Sequence, residues 1–281
     1  MFKQIGLYIK LIRPVNFIIA FVSIMVAGFI CKSGNYNFSI LIIAAFAGAL
    51  TGAGGNVIND YFDYDIDKIN RPNRVLPSGN LTKLNALIFY LILLFLIALL
   101  TINLNITSVI IVLVANITIF FYSYKLKGVV LVGNLVVSFF TAMAFIYGGA
   151  AVGYIEEAVV PALFAFNINF IREIIKDAED AEGDFANGVV TFPIVFGIKR
   201  TKTLVFVLAI IMAIGTIIPY YAEIYKIEYF VIIMTVFNPL LIYSLKLLIK
   251  GNSIKIYGKV SMILKLLMVI GIIAIYLGFK N

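Results

Sequence analysis

Apolar runs of 17 to 24 residues, broken by short polar segments, recur from one end of the chain to the other. A helix of that length crosses the roughly 30 Å hydrocarbon core of a bilayer. The pattern predicts nine spans: Val15–Cys31, Phe38–Ile58, Leu84–Leu104, Ile106–Tyr124, Val129–Val152, Ala158–Ile175, Leu204–Tyr221, Tyr229–Leu248 and Val260–Phe279. Residues 1–14 read as an interfacial amphipathic lead-in ending at Arg13-Pro14, with Asn16 just inside the membrane. The first run lacks a small-residue cleavage pattern after a short core, so it is expected to stay as a helix rather than leave as a signal peptide. Spans 3 and 4 are joined by almost nothing and should form a tight helical hairpin. Gly48, Gly52, Gly54 and Gly55 give span 2 a small-residue face for close packing or for backbone near a ligand. Asn238-Pro239 should kink span 8. The expected fold class is therefore all-α. It is a polytopic membrane bundle of about nine transmembrane helices around a central cavity opening at the cytoplasmic side, with residues 1–281 as one domain.

Composition sharpens this. The chain is 63% hydrophobic over 281 residues, with a mean hydropathy of +1.07, well above a soluble domain. There is no His, and Cys31 is the single cysteine. An intramolecular disulfide, a Cys-based metal cage, ordinary zinc chemistry and His general-base catalysis are all excluded. The net charge of +8 could suggest nucleic acid, but its placement argues for topology. With the N-terminus in the cytoplasm, 18 of the 22 Lys and Arg residues fall at the inner span edges and loops, Lys3 and Lys127 among them. Lys32, Lys226 and Lys280 lie outside, and Lys265 lies within the last span. That is a positive-inside distribution. The expected location is the cell membrane, multi-pass, with no nucleic acid and no obligate protein partner.

The candidate chemistry begins where span 2 ends. Asp60, Asp63, Asp65 and Asp67 fall within eight residues, followed at once by Arg71 and Arg74. Carboxylates there meet both low-dielectric lipid and the negative end of a helix dipole. A bound cation is the simplest compensation. At about 100° per residue, Asp60, Asp63 and Asp67 fall within an arc of about 60°, and Asn56 and Asn59 continue the ridge backwards. Asp65 points elsewhere. The end of span 6 repeats the theme: Asp177, Asp180 and Asp184 reproduce the D-x2-D-x3-D spacing, offset by 117 residues. Four spans separate the copies, so both rows are expected on the same inner face, meeting across a pocket. Ten of the fourteen Asp and Glu residues lie in these two stretches, which solvated loop charges alone would not arrange.

Other residues admit two roles each. Arg13 is a topology anchor or a phosphate contact. Tyr122 and Lys125, closing span 4, fit an aromatic belt with a snorkelling lysine or a substrate contact. Arg172, Glu173 and Lys176 precede the second row and could be intrahelical ion pairs. Asn116 and Asn134 lie deeper, where polar groups serve helix–helix contacts. Hard oxygen ligands select Mg²⁺ or a similar ion, and Mg²⁺ favours few carboxylates together with phosphate oxygens. Two such rows with Arg and Lys around them suit a polyphosphate, and the apolar spans suit a lipid tail. A metal-held diphosphate leaves readily from an allylic chain, with its charge stabilised electrostatically.

These motifs resemble the UbiA superfamily of intramembrane prenyltransferases over nearly the whole chain. Its N-D-x2-D-x3-D motif stands as Asn59-Asp60, Asp63 and Asp67, and its R-P-x-R-x-L-P-S-G signature as Arg71 to Gly79, with Val75 where Pro is frequent. The second motif, D-x3-D, matches Asp180 and Asp184, with Asp177 upstream. R-P-x-N matches Arg13, Pro14 and Asn16, and Y-x2-K matches Tyr122 and Lys125. The resemblance implies Asp60, Asp63, Asp67, Asp180 and Asp184 as catalytic carboxylates binding Mg²⁺, joined by Asp177 and Asn59. It implies Arg13, Asn16, Asn56, Arg71, Arg74, Tyr122, Lys125, Arg172 and Lys176 around the substrate. The compact length and the REIIKDAEDAEGD form are most similar to the archaeal ether-lipid branch. That branch implies geranylgeranyl transfer from its diphosphate to the sn-2 hydroxyl of geranylgeranylglyceryl phosphate. A UbiA-type enzyme with an aromatic, quinone-precursor or tetrapyrrole acceptor is the alternative, and a cation transporter the distant one. A CDP-alcohol phosphotransferase is excluded, since no Asp-Gly pair occurs.

Overall fold

The computed structural model describes residues 2–31, 36–125 and 129–280, with side chains from Gln4 onward. Lys32, Lys127 and the Lys3 side chain, counted in the charge distribution, lie outside the described residues. The described chain is helical almost throughout, and its one β feature is an antiparallel bridge between Tyr225 and Phe279. Among the described residues, eight spans are long and apolar enough to cross a membrane. A ninth arises if the helix pair Gln4–Leu11 and Pro14–Ile30, bent by 53°, is one span. The protein is an integral membrane protein. It divides into two compact units, one of Met1–Gly128 with Ala144–Ala158, the other of Val129–Met143 with Val159–Asn281.

The first unit holds α1 (Phe2–Leu11), α2 (Pro14–Ile30), α3 (Phe38–Phe62), α4 (Tyr64–Asn70), α5 (Lys83–Thr101), α6 (Ile106–Tyr124) and the later half of α7 (Val132–Val152). Helix α3 is its centre, packed against α2, α5 and α6. The small residues predicted on span 2 explain how. Gly54 lies under the Tyr90 ring of α5 and Gly55 under Ile119 of α6, so the helices approach closely. Gly148 of α7 lies against the Ile24 carbonyl of α2, where a Cβ would collide with backbone. Four residues join α5 to α6 as the sequence predicts, but the two helices pack on α3 rather than tightly on each other, so the hairpin is splayed around α3. Thr82 caps α5 and Asn105 caps α6, and the Asn105 amide also donates to the Ala150 carbonyl at 2.7 Å.

The second unit holds the first half of α7, then α8 (Val159–Ala186), α9 (Phe192–Gly215), α10 (Ile218–Tyr221), α11 (Ile227–Ile232), α12 (Asn238–Lys250) and α13 (Ile254–Gly278). Helix α13 packs along α8, α11 and α12. Span 7 starts earlier than its apolar run suggests, and Gly197, at φ 77°, breaks α9 near its start. The Lys202 ammonium donates to the carbonyls of Leu248 and Gly251, closing the end of α12. The kink expected at Asn238-Pro239 takes the form of a π-helical stretch, Ile233–Phe237, directly before Asn238. Pro239 has no N–H to continue the α-helical ladder, and the wider turn absorbs the mismatch.

Candidate active site

The first acid row departs from one continuous helix. Helix α3 stops at Phe62, and α4 starts at Tyr64, with Asp63 between them at φ −80°, ψ 4°. The carboxylates nevertheless stay together, because three i→i+4 backbone bonds link Asn59, Asp63, Asp67 and Arg71 in series across the junction. Asp63 N donates to Asn59 O, Asp67 N to Asp63 O and Arg71 N to Asp67 O, each at 2.8 Å. Asp60, Asp63 and Asp67 are 5%, 4% and 4% exposed. Asp65 points away as expected and pairs with Lys68 at 2.9 Å on the surface.

Buried carboxylates need partners, and this row has specific ones. Arg13 Nη2 donates to Asp60 Oδ1 at 2.5 Å. Arg74 Nη1 donates to Asp67 Oδ2 at 2.5 Å and to Asp60 Oδ1 at 3.3 Å. Asn59 Nδ2 donates to Asp63 Oδ2 at 2.7 Å. Burial pushes the Asp67 carboxyl above its ordinary range, against the pull of the Arg74 guanidinium and with help from the Asp60 and Asp63 charges.

Two local devices aim the guanidiniums. Arg13 sits in the left-handed region, at φ 54°, between α1 and Pro14, the first residue of α2. Asn56 Nδ2 donates to the Ile12 carbonyl at 3.2 Å and so pins that turn to α3. Asn16 donates its backbone N–H to Arg13 O at 2.8 Å in the first turn of α2. Arg74 rides on a loop whose Val75 and Leu76 are buried in the core with Leu11, Ile58 and Tyr90. Sequence reasoning overlooked this anchor; its signal was two apolar residues side by side in a polar loop.

Arg71 is half-buried and closes α4. Tyr122 and Lys125 end α6. Tyr122 is half-buried, whereas Lys125 is exposed with its ammonium 5.4 Å from the Tyr124 ring centroid, the arrangement of an aromatic belt with a snorkelling lysine.

The second row, in the other unit, lies on unbroken helix. Helix α8 runs past the predicted end at Ile175 to Ala186. At 28 residues it measures about 42 Å, longer than the hydrocarbon core. Asp177 and Asp180 are half-buried and Asp184 is buried. Arg172 Nη1 and Lys176 Nζ both donate to Glu173, at 2.8 and 3.0 Å, so the intrahelical ion pairs weighed from the sequence are present. Asp177 Oδ2 accepts from Asn134 Nδ2 of α7 at 2.8 Å. Glu173 and Asn134 were outside the predicted substrate and metal set, and no spacing rule connects Asn134 to Asp177.

Among the described residues no three Asp, Glu or Cys side chains converge as a ready-made metal cage. The donor set fits Mg²⁺ in its usual manner all the same. The buried, oriented carboxylates of Asp60, Asp63 and Asp67 would hold such an ion, which favours a few carboxylates beside water and phosphate oxygens. Softer metals find no thiolate or imidazole in either row.

The UbiA prenyltransferase family matches residues 20–268. Digeranylgeranylglyceryl phosphate synthase of Methanosphaera stadtmanae is 34% identical over 271 residues, covering 96% of this chain and 98% of that protein. A solved structure of digeranylgeranylglyceryl phosphate synthase in membranes superposes with a TM-score of 0.75 at 33% identity over 98% of both chains. A UbiA homologue from Archaeoglobus fulgidus, solved with GPP and Mg²⁺, shares the fold at a TM-score of 0.63 and 20% identity, over 96% of this chain and 99% of that one. Acid rows, arginine partners, helical membrane architecture and full-length similarity agree, and the chain belongs to the UbiA prenyltransferase family.

Proposed function

We propose that this membrane enzyme transfers a geranylgeranyl group from geranylgeranyl diphosphate to the sn-2 hydroxyl of geranylgeranylglyceryl phosphate in archaeal ether-lipid synthesis, with Mg²⁺ as cofactor and the whole chain as one prenyltransferase domain. The observation that carries it is the buried trio Asp60, Asp63 and Asp67, held by Arg13 and Arg74. The full-length relatives named digeranylgeranylglyceryl phosphate synthase support the choice of donor and acceptor.

Bound Mg²⁺ supplies charge that stabilises the departing diphosphate. The residues do the rest. Asp60, Asp63 and Asp67, with Asp177, Asp180 and Asp184, provide oriented carboxylate oxygens. Asn59 fixes Asp63. Arg13, Arg71, Arg74 and Arg172 turn to phosphate oxygens, for which a guanidinium offers paired donors; Lys125 and Lys176 add point charges. The bond between the allylic C1 and the diphosphate oxygen breaks, and its electron pair leaves with the diphosphate. The acceptor hydroxyl oxygen then bonds C1, and its proton passes to a carboxylate or to the released diphosphate. No imidazole is needed, since an allylic cation demands only a weak base. The positive-inside distribution supports a cytoplasmic N-terminus, with the site opening to that side.

The test is an assay in membranes with labelled geranylgeranyl diphosphate, offered both geranylgeranylglyceryl phosphate and a 4-hydroxybenzoate-type acceptor. Mg²⁺-dependent transfer to the first alone is expected. Transfer only to the aromatic acceptor would move the enzyme to another branch of the family. Full activity in chelator would overturn the metal-dependent mechanism.

A further inference from the structure

We infer that Asn134 is a positioning residue for the second acid row: a neutral amide that fixes Asp177 for a divalent cation without neutralising it. The inference rests on the metal-dependent function proposed above. Asn134 is 8% exposed, near the start of α7. It heads a polar seam between α7 and α8. One turn on, the wholly buried Ser138 donates from Oγ to the Asn134 carbonyl at 2.6 Å, and Asn169 of α8 donates to Ser138 Oγ at 3.5 Å. Polar groups buried in a membrane bundle must find partners within it, so this seam ties the first half of α7 to α8. At its end, the Asn134 amide meets the acid row at Asp177 Oδ2.

Asp177 thus receives a different kind of partner from Asp60 and Asp67. Asp60 and Asp67 take guanidinium groups, which orient and neutralise together. Asp177 takes an amide, which orients only. Its charged neighbours deepen the contrast. Glu173 and Asp184 lie on the same helix, and Lys176, the cation next to it in sequence, is itself paired with Glu173 at 3.0 Å. From Arg172 to Asp184 the helix carries two cations against six acids. Such a stretch attracts a divalent cation, and a fixed cation at residue 134 would compete with it. Partners that orient metal ligands typically account for about 10–100-fold in affinity or activity.

The test uses purified full-length protein and Mn²⁺ as the probe, with inorganic diphosphate present and free Mn²⁺ followed by electron paramagnetic resonance. Asn134→Leu places an apolar side chain in an apolar bundle. It should keep the wild-type helix content and weaken Mn²⁺ binding by about 10–100-fold. Asn134→Gln keeps the amide donor and should retain most of the affinity. Ser138→Ala cuts the seam without touching the acid row, so its Mn²⁺ binding should equal the wild type's even if its melting temperature falls. Wild-type affinity in Asn134→Leu, a loss in Asn134→Gln as large as in Leu, or an equal loss in Ser138→Ala would each overturn the inference. Absence of Mn²⁺ binding by the wild-type protein would instead overturn the metal-dependent function, and this inference with it.

Discussion

Arg13 reaches Asp60 across 47 positions of sequence, Nη2 to Oδ1 at 2.5 Å, from a backbone held in the left-handed region at φ 54°. Side chain and backbone at this position make separable contributions. A left-handed non-glycine residue is disfavoured by about 1–2 kcal/mol, and the ion pair offsets that strain while neutralising a buried acid. Arg13→Gly and Arg13→Ala both delete the guanidinium, but only Gly accepts the backbone freely. Both variants should lose transfer activity to the same degree. In detergent, Arg13→Ala should melt at the lower temperature, by the equivalent of about 1 kcal/mol. Equal melting temperatures would show that the turn relaxes once the arginine is gone.

Burial, rather than membership of the acidic segment, should decide which aspartates matter. Asp63 is 4% exposed and hydrogen-bonded to Asn59, whereas the Asp65 side chain is 75% exposed and pairs with surface Lys68. Asp63→Ala should abolish turnover while the protein still folds and inserts, and Asp180→Ala should do the same. Asp65→Asn should leave turnover and melting temperature near wild type, because exposed pairs contribute little. Comparable losses at Asp63 and Asp65 would mean that overall negative charge, not the buried row, drives binding.

How much of this was legible without coordinates depends on which physical signal each feature leaves. Lipid demands long apolar runs, so span existence was plain, and α6 begins and ends where its run does. Helix ends were less plain. Apolar content reports where lipid stops, while α3 continues as helix past Asp60 to Phe62 and α8 continues through its acidic turns to Ala186. Periodicity placed three aspartates on one face in each row, and all three of the first are buried. It could not register the junction at Asp63, since identical D-x2-D-x3-D spacing covers a broken helix in one row and a continuous one in the other. The Asn134–Asp177 bond is tertiary, and nothing in a local pattern couples residues 43 apart.

The Arg74 loop gives a stability prediction with a functional readout. Leu76 is 1% exposed in the core formed by Leu11, Val57, Ile58 and Tyr90, and Arg74 lies two residues before it. Truncating a fully buried leucine typically removes about 2–5 kcal/mol. Leu76→Ala should therefore lower the melting temperature and, by loosening the loop, raise the KM for the prenyl diphosphate. Pro77→Ala, outside that core, should do neither to the same extent. A large stability loss with an unchanged KM would indicate that Arg74 holds its position through Asp60 and Asp67 alone.

Removing the metal should silence the enzyme without unfolding it. Three carboxylates buried together would repel one another strongly if left bare, and a protein relying on a cation to prevent this would melt in chelator. Here the Arg13 and Arg74 guanidiniums already contact Asp60 and Asp67, and the Asn59 amide holds Asp63. Chelation should therefore end prenyl transfer, with Mg²⁺ restoring it, while the melting temperature moves by only a few degrees. Arg74→Ala should behave differently. With Asp67 deprived of its guanidinium and Asp60 of one of two, that variant should depend on Mg²⁺ for stability, and its melting temperature should fall steeply in chelator. Parallel metal responses in wild type and Arg74→Ala would refute the guanidinium as the internal substitute for the ion.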